Sequence, residues 1–213
     1  MFSGYKIFTI LKEYKDADNK YEDIRNQYVT IATPAPTVKP SAKPDDPKAT
    51  EDPEATKEPE KPKYDPEVSP LSIDFAALRE TNDDVQAWLF NPETIINYPV
   101  VQANDNDYYL YRALDHSSNS SGTMFIDSRC ASDFSSNHTL IYGHNMKNGT
   151  MLSTITNYWK QEYYEQHPFM YINTPTQNYR IDLFSGYVTP SNSDAYDIYF
   201  EDGADYLNFL EKL

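Results

Sequence analysis

The chain has 213 residues, 39% of them hydrophobic, with 18 Lys and Arg against 33 Asp and Glu and a formal net charge of −15. So acidic a surface repels phosphate backbones and argues against nucleic acid as a partner. The single cysteine, Cys130, excludes an internal disulfide framework and any multi-cysteine zinc site, and no run of 18 apolar residues marks a transmembrane helix.

Over residues 5–30, Ile7, Ile10, Leu11, Tyr14, Ala17, Tyr21, Ile24 and Tyr28 recur at three- and four-residue steps. This predicts one amphipathic helix with Lys, Asp and Glu on its other face. The opening MFSGYKIFTIL is apolar but too short to cross a bilayer. It fits either the end of a longer membrane segment or the first turns of a soluble helix. Such a helix suits a membrane-proximal stalk or a coiled-coil partner, and the stalk is preferred. Composition changes abruptly over 32–70, where ten of the chain's 15 prolines lie among Lys, Glu, Asp, Ala and Thr. Proline fixes φ and removes donors, and little there is apolar, so a solvated, partly polyproline-like linker is expected.

Leu, Ile, Val and Phe concentrate after residue 71, so a core is expected there, although residues 71–213 still hold 19 Asp and Glu against 7 Lys and Arg. Phe75, Leu78 and Val85 suggest a short helix leading into a strand near Ala87–Phe90. Tyr98–Gln102 reads as a strand and Asp107–Leu114 as a short helix. Thr123–Asp127 and Thr139–Tyr142, apolar runs bounded by Gly, Ser and Asn, read as strands. Residues 151–166 carry apolar side chains at helical spacing, with Thr150 as candidate N-cap and Pro168 limiting the far end. Phe169–Asn173 and Tyr179–Thr189 follow as strands, with a bulge expected at Gly186. Ala204–Leu213 closes as a helix with Leu207, Leu210 and Leu213 on one stripe. The sum is mainly β structure with helices inserted at the connections, and a mixed barrel is its natural solution.

His144, in TLIYGHNMKNGTML, lies just past an apolar strand, a rigid place for a general acid or base, although an ordinary turn histidine fits the spacing too. His138 lies six residues earlier, on the same face of an unbroken strand, but no third ligand stands at metal-binding spacing. His116 and His167 read as loop or helix-end residues. Cys130 sits in a polar loop beside Arg129, which would lower its pKa; the strand that follows carries His144 away, so an incidental thiol is the favoured reading. The triplets beginning at Asn119, Asn137 and Asn148 read as polar turns.

Taken together, several segments resemble a class B sortase. TLIYGHNMKNGTML is similar to that family's strand, Tyr-Gly-His-Asn-Met and helix; DVQAWLFNPETIINYPVVQANDNDYYL is similar to its opening; SSGTMFIDSRCASDFSSNHTLIYGHNM and HPFMYINTPTQNYRIDLFSGYVT continue the likeness; and SGYKIFTILKEYKDADNKYEDI resembles its juxtamembrane helix. The resemblance implies an eight-stranded β-barrel held outside a Gram-positive cell by a single-pass membrane anchor, here through a missing upstream segment. It implies a Cys–His–Arg site that cleaves a sorting signal in secreted proteins, forms a thioacyl-enzyme, and passes the acyl group to a cell-wall (peptidoglycan) or pilin amine. Within it, His144 would be the catalytic histidine, and Tyr142, Asn106 and Leu110 would line the substrate groove; no metal or cofactor is implied. The family's cysteine and arginine lie on a seventh and an eighth strand, and the chain is expected to stop before both. Cys130, ahead of the histidine, does not match the family's cysteine.

The expected organisation is a juxtamembrane-like helix over 1–31, a disordered Pro-rich linker over 32–70, and an incomplete sortase catalytic domain over 71–213. Two functions follow. One is a sortase-type cysteine transpeptidase of which this chain is an inactive fragment. The other is a non-catalytic, surface-exposed module that binds peptide or cell-wall material.

Overall fold

The structure, a computed structural model, describes residues 2–31 and 66–213, and side chains are described from Thr9 onward except Ile10. Most of the Pro-rich linker therefore lies outside the described residues. The chain forms α1 (Phe2–Tyr28) and β1 (Val29–Ile31), then β2 (Leu71–Ile73), α2 (Phe75–Thr81), β3 (Val85–Phe90) and β4 (Asn97–Val101). A 3-10 turn (Tyr108–Tyr111) leads to β5 (Met124–Ile126) and β6 (Ile141–Tyr142), and a second one (Ser153–Trp159) to α3 (Gln161–Gln166), β7 (Phe169–Asn173) and β8 (Asn178–Asp182). A third (Asp194–Tyr196) precedes α4 (Gly203–Leu210).

Six strands form one curled sheet in the order β6-β5-β4-β3-β7-β8, and β1 and β2 make a separate antiparallel pair. The architecture is mainly β with inserted helices, as expected. β4 and β5 pair in parallel, through Val100↔Met124 and Val101↔Phe125, and the other neighbours run antiparallel. Both faces of the sheet are covered. Ala87, Leu89, Tyr98, Val100, Met124 and Ile126 point into one core, and Val85, Trp88, Val101 and Phe125 into the other. Strands buried on both faces read as continuous apolar runs, which is why TMFI and YPVV show no alternation. Pro99 fits in a central strand because pairing with β5 begins only at Val100.

The second half of α1 packs on this body. Ala17, Tyr21 and Tyr28 are buried, and Tyr14 and Ile24 pack at the margins, as the helical spacing predicts. The Tyr21 hydroxyl donates to Gly122 O, and Lys20 Nζ reaches Asp115 Oδ2 at 2.9 Å. β1 then pairs with β2 (Val29↔Ile73), so the chain on either side of the proline-rich segment meets in one ladder. α1 is thus fastened to the sheet over this half rather than standing off as a stalk.

Elsewhere tertiary contacts override the sequence pattern. Val85 opens β3 instead of extending α2. The helix expected over 151–166 is broken at Lys160, whose ψ of 121° is extended, into a 3-10 turn and α3. Thr150 does not cap it: Met151 is held at φ 56°, and the Thr150 hydroxyl donates to Asn148 Oδ1 at 2.8 Å. β8 stops at Asp182 rather than Thr189, because its partner β7 begins just after Pro168, and Leu183 N makes the last rung to Pro168 O at 2.9 Å. Gly186 accordingly lies in exposed, unpaired chain and forms no bulge. In α4 the buried side chain is Phe209, stacked with Phe200, Tyr206 and His138, while Leu207 of the expected stripe is 60% exposed.

Candidate active site

Asn106 and Leu110 come from the β4–β5 connection, and Tyr142 and His144 from β6 and the turn after it, beside the β5–β6 edge of the sheet. β6 pairs through Phe125↔Tyr142 and Ile126↔Ile141. Ile141 packs on the first core, and Tyr142 on the second, whose margin also holds Leu110. The next residue on the Tyr142 side is His144. Gly143 between them is required for packing, since a Cβ there would stand 2.8 Å from Leu152 Cδ1 and 3.3 Å from Met124 Cγ.

His144 is held from both sides of the chain. Leu152 N donates to its carbonyl at 2.9 Å, Asn145 bridges Met151, and the buried Met146 and Met151 anchor the intervening turn. The imidazole is half-buried and meets the Tyr111 ring nearly edge-on, centroids 5.7 Å apart at 62°. Burial lowers its pKa from the ordinary histidine value, so the ring is neutral at neutral pH. A neutral imidazole in a fixed orientation can accept a proton from a nucleophile or, once charged, return it to a leaving group.

Tyr142 meets Asp127, a residue the sequence did not single out, and Asn106 meets the next residue, Ser128. The Asp127 carboxylate is fully buried, just past the end of β5. Its Oδ2 accepts from the Tyr142 hydroxyl at 2.8 Å and from Arg129 NH2 at 2.8 Å, and its Oδ1 from Arg129 Nε and N, both at 2.9 Å. Asn106 Oδ1 accepts from Ser128 N, next in the chain, at 2.8 Å. Arg129 above all, and then these other donors, hold Asp127 well below the usual carboxylate range. The Tyr142 phenol is pushed up to about 12, by burial first and then by the adjacent carboxylate. Leu110 is held from behind, since Gly122, at φ +60°, packs against the Leu110 and Tyr109 carbonyls. Tyr111, 61% exposed at the rim beside His144, also went unnoticed in the sequence. The one available signal for Asp127 was a lone carboxylate ending an otherwise apolar strand.

The other candidates fall elsewhere. Cys130 is buried in the first core, with its Sγ 3.6 Å from His138 O, and Arg129 turns to Asp127 rather than to that thiol. His138 does not share a strand with His144, because β6 is only two residues long; its Nδ1 lies 2.7 Å from Asp197 O. His116 stands beside Tyr108, with Nδ1 3.3 Å from the hydroxyl, and His167 beside Pro92 O at 3.1 Å. Among the described residues no cluster of three or more His, Cys, Asp and Glu is placed to hold a metal, and no helix is long and apolar enough to cross a membrane.

No family model matches the chain. It is 32% identical over 136 residues to sortase B of Listeria monocytogenes, a match covering 64% of this chain but 55% of that protein, so the chain spans little more than half of that relative's length. Among solved structures, a Bacillus anthracis protein described as similar to sortase B is 34% identical with a TM-score of 0.61, over 70% of this chain and 68% of that one. The Staphylococcus aureus sortase B–substrate complex is 30% identical with a TM-score of 0.63, over 65% and 64% of the two chains. The shared sequence, the shared fold and the strand that delivers His144 lead to one conclusion: the chain belongs to the sortase B family.

Proposed function

We propose that this chain carries the histidine-bearing part of a sortase-type cysteine transpeptidase site, one that works at the outer face of a cell membrane on sorting signals of secreted proteins. The observation that carries the reading is the rigid placement of a neutral His144 on the same edge as Tyr142, Asn106 and Leu110. In such a reaction a cysteine thiolate attacks the scissile carbonyl to form a thioacyl-enzyme. The departing amine takes a proton from the charged imidazole. A cell-wall or pilin amine then attacks the thioester and gives its proton back to the ring.

The chain's only cysteine is packed in the core against His138 O, so the chain alone is expected not to turn over. The same observation favours a second reading, in which the groove binds peptide or wall material without chemistry. The substrate of the Staphylococcus aureus complex is the probe for both. Titrated into the labelled chain, it should move the resonances of Asn106, Leu110, Tyr142 and His144; no response there would overturn the groove. A chimera extended by the C-terminal part of the Listeria relative should turn that substrate over and lose turnover in His144→Ala. Binding without turnover in a folded chimera supports the binding module. Turnover by the native chain that disappears in Cys130→Ser would overturn the assignment of Cys130 to the core.

A further inference from the structure

The carboxylate of Asp127 lies where two separate parts of the site converge. Arg129 belongs to its own turn, two residues on, and that contact alone would describe a local loop staple. The other partner comes from elsewhere in the fold: the Tyr142 hydroxyl, on the edge strand β6, donates to Oδ2 at 2.8 Å. Tyr142 is a residue that would line the groove beside His144. Ser128 N, next in the chain, donates to Asn106 Oδ1, so the turn after β5 also holds that amide from the long connection between β4 and β5.

We propose that Asp127 is the positioning residue of this groove, its buried carboxylate fixing the Tyr142 hydroxyl in place beside His144. Oδ1 accepts from Nε and the backbone N of Arg129, and Oδ2 from Arg129 NH2 and the Tyr142 hydroxyl, so the four lone pairs of the carboxylate hold these four donors at once. With its proton given to Asp127, the Tyr142 oxygen meets a substrate as an acceptor. A fully buried carboxylate is costly unless several donors satisfy it, and here Arg129 supplies three and the groove's Tyr142 the fourth. Asp127 therefore acts through Tyr142 and does not itself touch the reacting atoms. Its importance to substrate rests on the sortase reading; its hold on Tyr142 does not.

The test is a pH titration of the Tyr142 side-chain carbon resonance in the free, tyrosine-labelled chain. In the native protein Tyr142 should titrate near the raised value of about 12. Asp127→Asn removes the adjacent negative charge and should bring the midpoint down by about one unit. Arg129→Gln leaves that carboxylate in place and removes a positive charge, so it should move the midpoint the other way. A purely local staple would give both variants the same loosened turn and the same downward shift, which would overturn the proposal. So would a native Tyr142 titrating in the ordinary tyrosine range, a result that needs no variant to fold. With the Staphylococcus aureus substrate, Asp127→Asn should weaken binding about tenfold, as for one lost hydrogen bond. If the titrations behave as expected and that substrate never binds, the sortase groove fails while the positioning of Tyr142 stands.

Discussion

Replacing Tyr21 by Phe asks whether α1 is part of the body that carries the site. The Tyr21 ring is 2% exposed and stands edge-on to Tyr98, with centroids 5.3 Å apart. Its hydroxyl donates to Gly122 O and lies 2.9 Å from Thr123 Oγ1. Gly122 O can only accept, so the phenol proton serves it, while Thr123 Oγ1 donates to Arg112 O at 2.8 Å. Phe keeps the ring and its apolar contacts but deletes that donor and leaves a buried carbonyl unsatisfied, at a cost of about 1–3 kcal/mol. For a chain of this length, 2 kcal/mol corresponds to a fall in Tm of roughly 4–8 °C. Tyr21→Ala, which also removes the ring, should cost about 3–5 kcal/mol. Thermal melts give the magnitude, and amide exchange at Gly122 and Thr123 gives the location. A Tyr21→Phe protein that melts within about 1 °C of the native one, with unchanged exchange at those amides, would refute the claim that α1 is latched through this hydroxyl.

The two glycines of the site should differ sharply. Gly122→Ala combines a left-handed φ with a Cβ 2.5 Å from Leu110 O, for a loss of about 3–5 kcal/mol. Gly143→Ala meets mainly the movable end of Leu152 and should cost about 1–3 kcal/mol; urea midpoints in the reverse order would contradict this packing. Asp127, with its pKa lowered on folding, contributes stability that is present above the unfolded carboxylate value of about 4 and lost as pH falls below it. Tyr21, Tyr109 and Tyr142, with pKa values raised chiefly by burial, contribute stability present below about pH 10 and lost above it. Denaturation measured across pH should show both limbs, the acid one flattened in Asp127→Asn. His144, lowered by burial, should titrate below about 6.5 by NMR, its contribution to stability present above that pH and lost below it. A midpoint above the free-histidine value would reveal an acidic neighbour not seen here.

Local pattern made much of this legible. The apolar runs at 98–101 and 124–126 became central strands because nothing else could bury them, and the α1 stripe from Tyr14 to Tyr28 is the face that packs. What the pattern missed depends on residues far apart in the chain. The break at Lys160 follows from Tyr158, whose hydroxyl is claimed by Asn91 from one side and which itself donates to His167 O. β8 ends where its partner ends, a fact written at Pro168 rather than in β8. In the site, His144 could be placed from its strand and its flanking glycine. Asp127 could not, because its meaning comes from Tyr142, 15 residues on in the chain. Arg129 was matched to its sequence neighbour Cys130, whereas charge and geometry pair it with the carboxylate two residues back.

The latch between Tyr21 and Gly122 joins residues 101 apart in the chain, and that separation has a consequence for how the protein is made. During synthesis at about 5–20 residues per second, α1 emerges roughly 5–20 s before its docking surface. In that interval Tyr14, Tyr21 and Ile24 have no sheet to cover them. Closing so long a loop brings little return until β4 and β5 have paired in parallel, itself a slow step. The earlier-made of the two partners is therefore expected to be among the last elements to find its place. Refolding followed by pulse-labelled exchange should show the amides of β3 and β4 protected before the latch at Gly122 forms.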